Sequence, residues 1–211
     1  MFDDRTDAGE QLADRLQREG VEADLVLGIP RGALPVARPV ADALGAPLDI
    51  VAAKKMGAPG NPEYAIGAAA PDGSLWLNDE ALDRLNVSEG YIEEERERAA
   101  DTARQKEETY RPGEPEQIEG RRVVLVDDGV ATGATMTASI RRLRNADALS
   151  VTAAVPVGPP GTLDELRQEA DGVIALDEPE QFRAVGQFYR TFGQVTDEEA
   201  KTYLRNQNPS G

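Results

Sequence analysis

The chain has 211 residues, 40% of them hydrophobic, enough to bury one sizeable core. Its 39 acidic residues against 23 basic ones give a formal charge of −16, which disfavours duplex nucleic acid and anionic membranes as partners. The absence of Cys and His excludes disulfides and thiolate metal sites and removes the commonest general base.

No apolar run approaches the roughly 18 residues of a membrane span. The acidic, amphipathic start MFDDRTDAGEQLADRLQREG lacks the basic and apolar regions of a signal peptide, so a cytoplasmic location is expected. The acidity fits an ordinary acidic protein or a halophile-like surface adapted to high salt; the second reading is preferred here. Lys is scarce, occurring only at 54, 55, 106 and 201.

In chain order, the spacing of Ala8, Leu12 and Leu16 predicts a helix over 6–19. DLVLG (24–28) reads as a short buried strand broken by GIPRG, and 33–44 as a buried helix that Pro39 should kink or delay. LDIVAA (48–53) reads as a second strand ending at Lys54 and Lys55, and KKMGAPGNPE as a loop. YAIGAAA and SLWLN flank a PDG turn and predict a hairpin. Residues 79–110 read as one charged helix with a thin apolar face at Ile92, Ala99 and Ala103. RPGEPEQIEG is a connector. Strand 122–126, a Gly/Thr loop and a helix carrying Met136, Ile140 and Leu143 follow. LSVTAAVPV, TLDELRQEA and GVIAL continue as strand, helix and strand, and the tail after Leu204 is expected to fray.

Short apolar strands alternating with helices predict an α/β fold: a mostly parallel, twisted sheet covered on both faces, in a single domain. Ligands bind beyond the carboxyl ends of such strands. GIPRG and DDGVATGAT both follow strands directly and should open on one edge. A tight Gly/Thr loop opening a helix is an anion site, with Thr132 and Thr135 as added donors. Without the Lys of a P-loop or the GxGxxG spacing, a monoester phosphate fits best. The adjacent Asp127 and Asp128 suit the vicinal hydroxyls of a sugar, so a ribose 5-phosphate satisfies both halves of the segment.

VVLVDDGVATGAT (123–135) resembles the signature of the type I phosphoribosyltransferases, which use 5-phosphoribosyl-1-pyrophosphate (PRPP). The resemblance spans roughly 24–155, with a hood implied from 1–20 and about 177–204. It implies that Asp127 and Asp128 contact the ribose hydroxyls. Gly129, Val130, Ala131, Thr132, Gly133, Ala134 and Thr135 would hold the 5′-phosphate. Gly129 is a departure, since the family usually carries an aliphatic residue there. GIPRGALP (28–35) resembles the family's pyrophosphate loop, with Arg31 and Gly32 as the contacts.

Lys54 and Lys55 are candidate catalytic charges for the departing pyrophosphate, and GAPGNPEYAIG the expected mobile cover. The resemblance implies displacement at ribose C1 with inversion, through an oxocarbenium-like state, with Mg²⁺ bound mainly through PRPP. Where several 6-oxopurine members carry an acid as general base, this chain has Ala131, closer to adenine- or uracil-type members. Phe182, Phe188 and Tyr189 are candidates to stack on an acceptor base, Phe182 first.

The chain looks most like phosphoribosyltransferase-like proteins that carry GIPRG, KKMGAPGNPE and VDDGVATGAT in this order. That likeness names a fold and a donor but no acceptor. Expected partners are PRPP and a small-molecule acceptor, and dimers are common in the family, so a homodimer is the expected assembly. The alternative is a PRPP-binding sensor that has lost its acceptor site. A small hydrolase using the acidic pair ranks last, for want of a metal cluster or a nucleophile elbow.

Overall fold

The computed structural model describes residues 1–111 and 113–205. The segment NQNPSG, expected to fray, lies outside the described residues. No helix among the described residues is long and apolar enough to cross a membrane.

Five parallel strands form the main sheet: β1 (Leu25–Gly28), β2 (Leu48–Ile50), β6 (Arg122–Val126), β7 (Ser150–Val157) and β8 (Gly172–Asp177), in the order β2-β1-β6-β7-β8. Each strand is a near-continuous apolar run because both faces are covered. On one face Val26, Leu48, Val124 and Ala154 pack against α1 (Arg5–Arg18), α2 (Leu34–Leu44) and α7 (Asp197–Arg205). On the other, Leu25, Leu27, Val123 and Leu125 meet Met136, Ile140 and Leu143 of α5 (Ala134–Asn145) and Leu163 and Leu166 of α6 (Pro160–Glu169). Alternate residues of one strand thus serve two cores. The fold is the expected parallel α/β arrangement.

A second sheet is antiparallel: β3 (Lys54–Ala58), β4 (Asn61–Ala69) and β5 (Leu75–Leu77), in the order β3-β4-β5. It packs under α3 (Asp79–Leu85) and α4 (Glu89–Tyr110) through Met56, Ile66, Ala81 and Ala99. The hairpin predicted around PDG is β4–β5. KKMGAPGNPE, expected as a loop, is instead the first hairpin of this sheet. Pro62 is tolerated because it falls in the bulged stretch of β4 between the pairs Gly57↔Ala65 and Ala58↔Asn61, beyond the residues that pair with β5. Lys54 and Lys55 therefore open β3 and do not end β2. Tyr91 of α4 donates to the Gly57 carbonyl at 3.0 Å, tying the hairpin expected as a mobile cover to the helix above it.

Two helix readings change. Residues 79–110 form two helices, because Asn86 turns left-handed (φ 47°) to end α3 and the Ser88 side chain accepts from the Tyr91 amide to begin α4. In α2 the helix starts at Leu34 without delay and continues through Pro39.

The terminal segments meet. The Phe2 amide donates to the Phe188 carbonyl at 2.8 Å, and the amides of Arg190 and Thr191 donate back to the carbonyls of Phe2 and Asp3 at 2.8 and 2.9 Å. Phe2, Tyr189, Phe182 and Phe188 share a small apolar cluster with Val157.

Candidate active site

β1 and β6 are parallel neighbours in register, Gly28 beside Val126, and the Ile29 amide donates to the Val126 carbonyl at 3.0 Å. The two loops expected to share an edge therefore leave the sheet side by side. They open into a cleft of about 640 Å³ whose lining includes Arg5, Arg31, Gly32, Lys106, Tyr110, Asp127, Asp128 and Asp197. The loops touch: a Cβ on Gly32 would lie 2.4 Å from Asp128 Oδ2, so no side chain fits there without displacing the carboxylate. The Pro30–Arg31 peptide is cis.

One pole of the cleft is acidic. Burial, and then the Asp128 charge, push the Asp127 carboxyl well above the usual carboxylate range. Burial also raises Asp128, opposed by Arg5, whose Nε donates to Asp128 Oδ2 at 2.7 Å. The Asp128 amide donates to Asp127 Oδ1 at 2.9 Å, fixing one carboxylate against the backbone of the other. Tyr189 donates its hydroxyl to the Asp128 carbonyl at 2.6 Å, and burial raises its phenol.

Beyond the pair, the loop turns into α5. Gly133 at φ 71° precedes the helix and no side chain caps it, so the first-turn amides of Ala134, Thr135 and Met136 are left for a ligand or solvent. Ala131 and Thr132 are exposed. Val130 is not available in the same way: its side chain is in the core and its amide donates to the Val157 carbonyl at 2.9 Å. At Gly129 the backbone adopts φ 152°, and an added Cβ would meet Val185 Cγ1 at 2.7 Å. The aliphatic group usual at this position is supplied here from the terminal segment by Val185.

The other pole is basic. Lys106 reaches the cleft from α4, half-buried, its ammonium without a hydrogen bond or ion pair to a described residue. Burial lowers its ammonium below the usual lysine range, and the charges of Lys54 and Arg31 add to this. The side chains of Lys54 and Lys55 are exposed and likewise make no hydrogen bond or ion pair with a described residue. Consecutive residues of a strand point to opposite faces. Lys54 is felt at Lys106, and Lys55 at Asp127. Of these lysines only Lys106 lines the cleft, and Lys54 lies close enough for its charge to be felt there.

The turn of α4 that carries Lys106 is anchored by a buried charge network that begins at the next residue. Glu107 Oε1 accepts from the Ala52 amide at 2.8 Å and from Arg142 of α5, and its Oε2 accepts from Arg142 Nη2 at 3.1 Å. Arg111 donates through Nε to Asp49 at 3.0 Å and through Nη2 to the Ile50 carbonyl at 2.9 Å. The network pins the end of α4 to the end of β2 and to α5.

Phe182 does not line the cleft; it packs against Phe188 at 5.2 Å between centroids. The aromatic rings at the cleft are Tyr110 and Phe192, the latter with the Arg5 guanidinium 3.7 Å from its centroid and followed by Gln194 and Val195. Sequence reasoning missed Arg5, Lys106, Tyr110, Phe192 and Asp197. Only Lys106 had a signal, the same scarcity of lysine that singled out Lys54 and Lys55.

Comparison with known proteins agrees with this geometry. The phosphoribosyl transferase domain family matches residues 3–190. A Mycobacterium tuberculosis H37Rv protein, provisionally named a phosphoribosyl transferase, is 42% identical over 205 residues, which cover 97% of this chain and 46% of that protein. The chain thus spans about half the length of the curated relatives it matches. The uracil phosphoribosyltransferase of Streptomyces griseus is 39% identical over 67 residues, 32% of each chain. Among solved structures, the protein TT1426 from Thermus thermophilus superposes with a TM-score of 0.80 at 45% identity, covering 97% of both chains. With the paired loops, the acidic pair and the basic rim, these matches show that the chain belongs to the phosphoribosyl transferase domain family.

Proposed function

We propose that this chain binds PRPP and transfers its ribose 5-phosphate to a nucleobase or similar nitrogen acceptor, releasing pyrophosphate. The observation that carries the reading is the polarity of one cleft: the half-buried carboxylates Asp127 and Asp128, directly after β6, share it with Arg31 of the β1 loop and Lys106 of α4. A sugar phosphate with a diphosphate at C1 has the complementary order of groups.

Asp127 and Asp128 accept from the ribose 2′- and 3′-hydroxyls, and the amides at the start of α5 take the 5′-phosphate. Arg31, Lys106 and Lys54 meet the diphosphate, with the backbone at Gly32 close enough to add its amide. As the C1–O bond breaks, its electron pair leaves with the pyrophosphate, while the acceptor nitrogen's lone pair forms the C1–N bond from the opposite face. The nitrogen then loses its proton. Fixed cations at the leaving group stabilise charge where it develops, and the acidic pair holds the sugar in place for in-line attack. Among the described residues no group of three or more His, Cys, Asp or Glu could hold a metal ion. Mg²⁺ in this reading is carried by the donor's phosphate oxygens and water.

Phe192, Gln194 and Val195 form the acceptor side of the cleft, and Ala131 supplies no general base there. The partial likeness to a uracil phosphoribosyltransferase supports a nucleobase as the acceptor class. A screen of free bases with PRPP and Mg²⁺, read as pyrophosphate release, tests the transfer. Release with one base and not with buffer supports an enzyme. Saturable PRPP binding with no release across pyrimidines, purines and aromatic carboxylates would instead support a sensor.

A further inference from the structure

Both poles of the cleft are engaged by the chain's own terminal segments. Arg5, at the start of α1, donates to Asp128 at 2.7 Å. Asp197, at the start of α7, accepts from Arg31 Nη1 at 2.8 Å and, on the same Oδ1, from the Tyr110 hydroxyl at 2.8 Å. The Tyr110 bond and then Arg31 hold the Asp197 carboxyl below its usual range. The cation proposed to meet the diphosphate thus already holds an anion, and that anion sits inside the cleft.

We propose that Asp197 is an internal stand-in for the donor's diphosphate: it neutralises Arg31 while the cleft is empty and yields it when the diphosphate arrives. The inference rests on the PRPP reading. The Arg31–Asp197 pair is partly exposed, with side chains 32% and 51% accessible, so breaking it costs little. A diphosphate carries several charges and can also engage Lys106, which a single carboxylate on α7 leaves unpaired. The helix that would have to move buries only Ala200 and Leu204. Its approach segment, through Gln194 and Val195, is the wall of the cleft on the acceptor side. Loss of the Arg31 contact therefore loosens that wall when the donor binds.

Asp197→Asn keeps the side-chain size and removes the competing charge. Calorimetric titration with inorganic pyrophosphate and Mg²⁺ should show about two- to fivefold tighter binding to D197N than to the wild type, the worth of a partly exposed ion pair. Ribose 5-phosphate should bind both alike. In the wild type, pyrophosphate should speed hydrogen exchange at the α7 amides. Equal or weaker pyrophosphate binding by folded D197N, or unchanged α7 exchange at saturation, overturns the inference and leaves the PRPP reading standing. A D197N chain that fails to fold makes the pair structural and overturns it as well. A wild type that binds neither PRPP nor pyrophosphate overturns the PRPP reading first, and this inference with it.

Discussion

The parallel and antiparallel sheets solve different problems. The parallel sheet is buried on both faces, and its strand ends hold Asp127, Asp128 and the Arg31 loop at fixed spacing. The antiparallel sheet is covered on one side by α3 and α4 and leaves Lys54 and Lys55 exposed at its edge. Its contact with α5 runs through small residues, Ala53, Ala68, Ala134 and Ala138, beside Trp76. In the proposed function, the doubly covered unit carries the groups that hold the sugar, and the unit joined to it through small residues carries charges that meet the leaving anion. The Glu107 network joins the two.

That joint is where the comparison breaks most readily. Glu107→Ala would leave Arg142 and the Ala52 amide without their buried acceptor, and should destabilise the fold by about 3–5 kcal/mol. Chemical denaturation would measure it; a loss under about 1 kcal/mol would mean the two units are held by apolar contacts alone. Next in size is the acidic pole. Asp128→Asn removes a charge-assisted acceptor and should weaken PRPP binding by about 1.5–3 kcal/mol, tenfold or more, with pyrophosphate binding little changed.

Lys106→Gln sharpens the contrast from the other side. Pyrophosphate affinity should fall by about tenfold, roughly 1.4 kcal/mol, and ribose 5-phosphate affinity should stay as it is. Equal losses for both ligands would show that Lys106 acts on the fold and not on the diphosphate.

The smallest effect is on stability. The folded-state pKa of Asp127 is raised, so its contribution to stability is present below the unfolded carboxylate value of about 3.9 and is lost as pH rises through the raised one. At neutral pH, where the unfolded carboxyl is ionised, the raised folded-state value costs stability. Asp127→Asn should therefore raise stability near pH 7 by about 1 kcal/mol while impairing PRPP binding, and the gain should vanish below about pH 4. Thermal melts across that range read both ends.

The candidate donor site was legible because its groups are contiguous: one strand and its loop carry the acidic pair and the helix-opening amides, and a second loop carries Arg31. The register that sets those loops together follows from parallel pairing of apolar strands, which periodicity reveals. Residues assembled by tertiary contact were not legible. Arg5 and Asp197 lie at opposite ends of the chain and meet the same cleft only because the termini clamp together at Phe2 and Tyr189. The pattern points to Phe182, Phe188 and Tyr189 and not to Phe192, because nothing local says which ring of an aromatic cluster faces the cleft. The hairpin of β3 and β4 was hidden by Gly and Pro, which read as breakers until a bulge accommodates them.

The central claim is that one cleft binds the two ends of PRPP at opposite poles. Calorimetric titration in high-potassium buffer with Mg²⁺ tests it most directly, using PRPP, then ribose 5-phosphate and pyrophosphate singly and together. The account predicts saturable PRPP binding, weaker binding of each half, and simultaneous binding of both halves, with PRPP displacing the two. A folded sample that shows no saturable binding of PRPP would contradict it.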